Sequence, residues 1–156
     1  MREINVGIIG TGFIGPAHIE ALRRLGNINI AALADIDIDT AKVKAENLNI
    51  KKYYGDYKEL LKDDSIEVVH ICTPNHLHYQ MAKDALEADR HVICEKPLAI
   101  KIEEALELVE LAEKKKKINA VHFNVRYYPL MRQVKMMVQK GDIGRIFSIH
   151  GSYLQD

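Results

Sequence analysis

The sequence predicts an α/β fold, a doubly wound parallel sheet with helices on both faces. Three observations lead there. Short apolar runs alternate with amphipathic stretches along most of the chain, the pattern of βαβ units that bury a parallel sheet. Glycine or proline punctuates the joins at Gly26, Pro74 and Pro97. Hydrophobic residues make up 47% of the 156 residues, enough for the core of one full domain and little more.

The elements follow in order. Ile4 to Ile9 is the first strand. A glycine loop leads into a helix with Ile14, His18, Ala21, Leu22 and Leu25 on one face, closed by Gly26 as C-cap. His18 reads as a packed residue of that apolar stripe. Ile28 to Ala34 is the second strand, and Asp39 is placed to cap the helix running to Leu48. Tyr53-Tyr54 reads as a short strand and Tyr57 to Leu61 as a short helix. Glu67 to Cys72 is a fourth strand, broken by Pro74. Asn75 then caps a helix that turns Leu77, Met81, Ala82 and Leu86 inward. His91 to Cys94 is a fifth strand, stopped by Pro97. The helix from Lys101 to Lys115 is expected to bury Ile102, Ala105, Leu106, Val109 and Ala112. Ile118 to His122 is a sixth strand whose end brings His122 towards a cleft. Pro129 suits the first turn of a last helix ending near Gly141.

Beyond that helix, Ile146 to Leu154 reads as one more strand. Phe147, Ile149 and Tyr153 alternate roughly with Ser148, His150 and Ser152, and Gly151 interrupts them. The sheet is already complete, so this run is expected to open a second domain. The predicted division is 1–143 for the first domain and 144–156 for the start of a truncated second one, which makes the sequence an N-terminal piece.

Composition narrows the function. Lys plus Arg and Asp plus Glu each number 22, so the basic excess of a nucleic-acid binder is missing. The run Lys114 to Lys117 closes a predicted helix, where cations complement the dipole. Cys72 and Cys94 form no C-x-x-C pair and suggest no disulfide framework. They read as buried strand residues in a reducing, cytoplasmic setting. The N-terminus has no apolar leader, and no stretch approaches the ~20 apolar residues of a membrane span.

Chemistry enters at Gly10-Thr11-Gly12-Phe13-Ile14-Gly15. This G-x-G-x-x-G follows a predicted strand and opens a predicted helix, the context in which such a loop holds a dinucleotide. Gly10 permits the tight turn, Gly12 lets the backbone approach a pyrophosphate, and Gly15 lets helix and strand pack closely. The free N–H groups of the helix start meet the phosphate charge. Asp35 lies 20 positions after Gly15, at the end of the second strand. A carboxylate there accepts bonds from both adenosine ribose hydroxyls and repels a 2′-phosphate, so NAD is favoured over NADP. On these two features alone a methyltransferase remains open, because its cofactor also carries adenosine.

Two polar segments then follow buried strands directly: Thr73-Pro74-Asn75-His76-Leu77-His78 and Glu95-Lys96-Pro97. Strands four and five, which carry them, are expected to neighbour strand one and to line the cofactor crevice. His76 and His78 have metal-like spacing but no evident third ligand, so no metal site is expected.

With these segments the sequence resembles the Gfo/Idh/MocA family of oxidoreductases. The glycine loop, a T-P-x-x-x-H segment and E-K-P stand in the family's order. Asn124-Val125-Arg126-Tyr127-Tyr128-Pro129 resembles its N-x-R-[FY]-x-P segment, and Gly141 to Ile146 its link into a second domain. The resemblance covers essentially the whole chain. It implies a Rossmann-type domain that binds NAD, with NADP second, and hydride transfer to or from a sugar, cyclitol or related polyol. Thr73, Pro74 and Asn75 are implied along the nicotinamide half, His78 near its ribose, and Glu95 on the ribose hydroxyls. Arg126 is implied at the nicotinamide end or the substrate, and Lys96 beside the reacting carbon, preceding a cis Pro97. A lysine there can accept or steer the alcohol proton. The family also implies a second domain with most substrate contacts, a histidine partner for the lysine, and the surface that makes homo-oligomers. No such histidine segment occurs in this sequence, which is expected to turn over little by itself. A binding or sensing module without catalysis stays open beside the dehydrogenase.

Overall fold

A computed structural model describes residues 2–152 and 154. The chain forms two compact units, Met1–His122 and Phe123–Asp156, taken in turn.

In the first unit the strands are β1 (Ile4–Ile9), β2 (Ile28–Ala34), β3 (Lys52–Tyr54), β4 (Val68–Ile71), β5 (His91–Glu95) and β6 (Asn119–His122). The helices are α1 (Gly15–Arg23), α2 (Ile38–Asn47), α3 (Tyr57–Leu61), α4 (His78–Glu87) and α5 (Ile102–Lys115). All strand pairs are parallel, in the order β3-β2-β1-β4-β5-β6. The chain winds outward from β1 to β3, then returns to lay β4 on the other side of β1. The carboxyl ends of β1 and β4 therefore flank the switch point where ligands bind such sheets. Of β4 and β5, both expected beside β1, β4 is its neighbour and β5 lies one strand further out.

Strand alternation builds two cores. Val6, Ile8 and Leu33 pack with Ile19 of α1 and Ala41 and Ala45 of α2 on one face. Ile9, Ala34, Val69, Ile71 and Val92 pack with Leu60 of α3, Met81 and Leu86 of α4, and Leu108 of α5 on the other. Gly7 owes its identity to this packing: a Cβ there would lie 2.9 Å from Leu60 Cδ2.

Several local expectations are corrected. Asp37, not Asp39, caps α2: its Oδ1 accepts from Thr40 N at 2.7 Å, and Asp39 sits inside the first turn. Asn75 opens a 3-10 turn over Asn75–Leu77, and the α-helix starts only at His78. Helix α1 ends at Arg23 with Arg24 as its C-cap, and Gly26 (φ +77°) belongs to the turn before β2. In α5, Leu108 and Ala112 are buried, whereas Ile102, Leu106 and Val109 are exposed. That helix carries two apolar stripes at helical spacing, so periodicity alone could not choose the one that faces the sheet.

In the second unit a 3-10 turn (Asn124–Tyr127) leads into α6 (Pro129–Lys140), with Pro129 at its start and Gly141 (φ +79°) as its left-handed C-cap. The strand expected over 146–154 does not form among the described residues, and Phe147, Ile149 and Leu154 are largely exposed. Tyr153, part of that expectation, lies outside them. A lone strand has no neighbour to satisfy its N–H and C=O groups, and the second unit offers none among the described residues. The compact units meet at 122/123, earlier than the 143/144 division read from the sequence. Among the described residues, no helix is long and apolar enough to cross a membrane.

Candidate cofactor site

The glycine loop joins β1 to α1 at the switch point. Gly10 takes φ +87°, and a Cβ there would meet Thr73 Cγ2 at 2.8 Å and the Cys72 carbonyl oxygen at 2.9 Å. At Gly15 a Cβ would lie 2.3 Å from the Gly10 carbonyl oxygen. Both positions are closed to side chains by backbone. Gly12 differs: its Cβ would meet nothing within 4 Å, so the loop presents bare backbone to open space. That is the cradle a pyrophosphate needs, with the unpaired N–H groups of the helix start behind it. Phe13 points to solvent and Ile14 is half-buried.

A cleft of about 710 Å³ opens beside this loop. Gly10, Thr11, Gly12, Asp35, Thr73 and Pro74, all expected from the sequence, line it together. His76 and Leu77, from the polar segment expected at the crevice, join them, as do Ile36, Gly55, Asp56 and Tyr57, which the sequence did not announce. Parallel pairing held the signal for part of this group: Ala34 faces Tyr54 and Asp35 N donates to Tyr54 O at 3.2 Å, so residues after β3 must lie beside Asp35. The Tyr57 hydroxyl donates to Asp84 at 2.7 Å, and burial followed by that carboxylate pushes the phenol well above its ordinary pKa.

Asp35 is bound into the loop. Its Oδ2 accepts from Thr11 N at 2.9 Å and from the Thr11 hydroxyl, and Oδ1 accepts from Ile36 N at 2.8 Å. A carboxylate offers about four acceptor positions, so about one remains for a ribose hydroxyl rather than the two expected. Thr11 is fully buried, which makes Asp35 a brace of the phosphate loop as well as a wall of the cleft.

The second group of expected residues surrounds the end of β5. Lys96 and Pro97 are exposed and joined by a cis peptide bond. Among the described residues, the Lys96 ammonium enters no ion pair. Glu95, the obvious candidate to pair with it, is 7% exposed and otherwise engaged. His18 Nε2 and His122 Nδ1 lie 2.9 and 2.5 Å from its Oε1, and Lys96 N donates to its Oε2 at 3.3 Å. Burial works to raise the Glu95 pKa, but the two imidazole bonds outweigh it and hold the carboxyl below its usual range. Behind them, His70 Nδ1 lies 2.9 Å from His18 Nδ1. Burial holds His70 down to about 3 and also depresses His18, against the pull of Glu95. His18 is thus a partner of Glu95 rather than a packing residue of α1. The donor atoms of His18, Glu95 and His122 lie within 4.8 Å of one another, a spacing one metal ion could bridge, yet the hydrogen bonds already pair them.

His78 is corrected most clearly. It is fully buried, with its ring nitrogens 2.6 Å from Pro97 O and 2.7 Å from Thr73 O. It ties two loops together from beneath and does not reach the cleft surface. Asn75 is exposed on its turn but does not line the cleft. Arg126 belongs to the second unit, where it lines a groove with Tyr127, Met131 and Arg132. Burial, with Glu95 as the second cause, pushes the Cys72 and Cys94 thiols up to about 12, so neither is a nucleophile.

The profile of the oxidoreductase family with an NAD-binding Rossmann fold (GFO_IDH_MocA) matches residues 4–123. The chain belongs to this family. Levoglucosan dehydrogenase of Pseudarthrobacter phenanthrenivorans is 37% identical over the whole chain, which spans 42% of that protein. Myo-inositol 2-dehydrogenase of Thermotoga maritima is 30% identical, over 91% of the chain and 42% of the relative. Among solved structures, levoglucosan dehydrogenase in complex with NADH and levoglucosan superposes with a TM-score of 0.87 at 34% identity, covering 92% of this chain and 41% of that one. The chain thus spans under half the length of the relatives it matches. Together with the bare-backbone loop and the cleft, these likenesses identify an NAD-binding Rossmann domain of an oxidoreductase.

Proposed function

We propose that this domain is the cofactor half of a dehydrogenase that acts on a CH–OH group of a sugar, cyclitol or related polyol. The carrying observation is Lys96. It leaves the carboxyl end of β5 exposed, and the carboxylate beside it is committed to histidines, so the ammonium is left for substrate. When bound, the nicotinamide supplies the hydride acceptor or donor. As the neutral amine Lys96 takes the alcohol proton at its Nζ, and as the ammonium it returns it. Thr73, Pro74 and Asn75 border the nicotinamide half, and Arg126 orients that end or the substrate. Glu95 has Oε2 as the oxygen free of imidazoles for a ribose hydroxyl. Most substrate contacts, the dimer surface and a histidine partner of Lys96 belong to a second domain, so this chain alone turns over little. The polyol class rests on the relatives' names, an argument by analogy.

The test is Lys96→Ala in the full-length protein, with NADH formation measured on a panel of cyclitols and sugars. Loss of a positioned acid–base group lowers kcat by about 10²- to 10⁴-fold, while NAD affinity stays within about twofold. Turnover that survives the substitution contradicts the reading.

A further inference from the structure

Lys96 sits in a turn that is gripped on both sides. Before it, the Glu95 carboxylate is held by His18 from α1 and His122 from β6. After it, the Pro97 carbonyl oxygen meets His78 from α4. Three imidazoles from three elements thus converge on the two residues that flank one exposed lysine. The β5–β6 register puts His122 directly opposite Glu95, and alternation turns both side chains to the face that carries α1.

Proton bookkeeping at Glu95 is closed. A carboxylate oxygen only accepts, so His18 Nε2 and His122 Nδ1 must both carry hydrogen. A neutral His18 then accepts at Nδ1, and His70 Nδ1 donates to it. The contacts around Glu95 are consistent with a carboxylate held by neutral rings. The groups facing Glu95 are accounted for: His18 on α1, His70 behind it on β4, His122 on β6, and the thiols of Cys72 and Cys94, which burial keeps protonated.

We propose that His18, His122 and His78 are positioning residues for Lys96, acting through the Glu95 carboxylate and the Pro97 carbonyl. The inference deepens the assignment of Lys96 as the proton-handling group and rests on it for its catalytic consequence, but the grip itself is testable without turnover. An imidazole holds its donors in a ring locked by packing, which fixes the β5 end more firmly than solvent could. The residues on each side of Lys96 being anchored, its backbone is fixed while the side chain alone samples the open side.

The experiment uses His122, the most exposed of the set. His122→Leu removes the donor to Glu95 Oε1, whereas His122→Asn replaces Nδ1–H with an amide N–H at a similar place. Long-range ¹H–¹⁵N spectra of this chain should show hydrogen on His18 Nε2 and His122 Nδ1. His122→Leu should move the Lys96 amide resonance, leave core amides such as Leu33 in place and keep NAD affinity within about threefold; His122→Asn should restore the Lys96 resonance. In the full-length dehydrogenase, His122→Leu should lower kcat at least tenfold with little change in the KM for NAD, and His122→Asn should recover most of it. A Lys96 amide indifferent to His122→Leu overturns the proposal, as does the opposite tautomer at His18. So does a stoichiometric metal ion that His122→Leu releases. If Lys96→Ala leaves turnover intact while the amide still responds to His122, the grip stands and the catalytic assignment of Lys96 fails.

Discussion

Asp35 offers a sharp perturbation because it serves both the fold and the cofactor. In Asp35→Ala the buried Thr11 N–H and hydroxyl lose their acceptor. Each buried group left unsatisfied costs ~1–3 kcal/mol, so the unfolding free energy should fall by about 2–4 kcal/mol after partial rearrangement. The one acceptor position left for ribose is a charge-assisted bond of about 1.5–3 kcal/mol, or an NAD affinity loss of about 10- to 150-fold. Part of that loss comes from a loosened phosphate loop and falls on NADP too. Asp35→Asn separates the two effects. It keeps a carbonyl oxygen for Thr11 and removes the charge that repels a 2′-phosphate. Calorimetric titration with NAD and NADP, beside urea denaturation, reads both. Asp35→Asn should stay within about 1 kcal/mol of the parent in stability and shift the NAD-to-NADP affinity ratio at least tenfold towards NADP. Equal losses for both cofactors would refute the discriminating role and leave Asp35 as a loop brace alone.

Three more predictions rest on glycine geometry and on histidine burial. Gly12→Ala meets open space, so its Tm should stay within about 2 °C, while NAD binding should fall at least tenfold because the methyl group enters the phosphate's place. Gly15→Ala puts a Cβ 2.3 Å from the Gly10 carbonyl, and calorimetry should show it destabilised by about 1–3 kcal/mol or more, the cost of overpacking. Stability should also fall with pH through His70. Its folded pKa is about 3 against 6.5 in the unfolded chain, so the unfolded state binds the extra proton between those values. The stabilisation is complete above 6.5 and declines as pH falls towards 3, with a slope approaching ~1.4 kcal/mol per pH unit. Denaturation curves from pH 7 to 5 should show this decline, and His70→Asn should flatten it.

Much of this was legible in the sequence because the signals were local. The strands that became β1 and β2, the short helix α3, the turn at Gly10 and the stop at Pro97 each follow from a few neighbouring residues. What escaped was set by tertiary contact. The apolar stripe of α5 that turned outward was as regular as the one that turned in. Asp37 outcompeted Asp39 as a cap because Ile38 already lies in the helix. His18 looked like one more core residue, since nothing near it in sequence announces Glu95, 77 positions away. His78 fitted a cleft residue until α4 placed it beneath the loops. The run 146–154 has strand composition but no partner among the described residues, and composition does not supply hydrogen bonds. The cleft residues after β3 follow only from strand register.

The central claim is that the loop from Gly10 to Gly15 and the carboxylate of Asp35 form a nicotinamide dinucleotide site. Isothermal titration of this chain with NADH, NADPH and S-adenosylmethionine tests it directly. The account predicts one-to-one binding of NADH, weaker binding of NADPH, and no heat from S-adenosylmethionine. Binding of S-adenosylmethionine with none of NADH would contradict it.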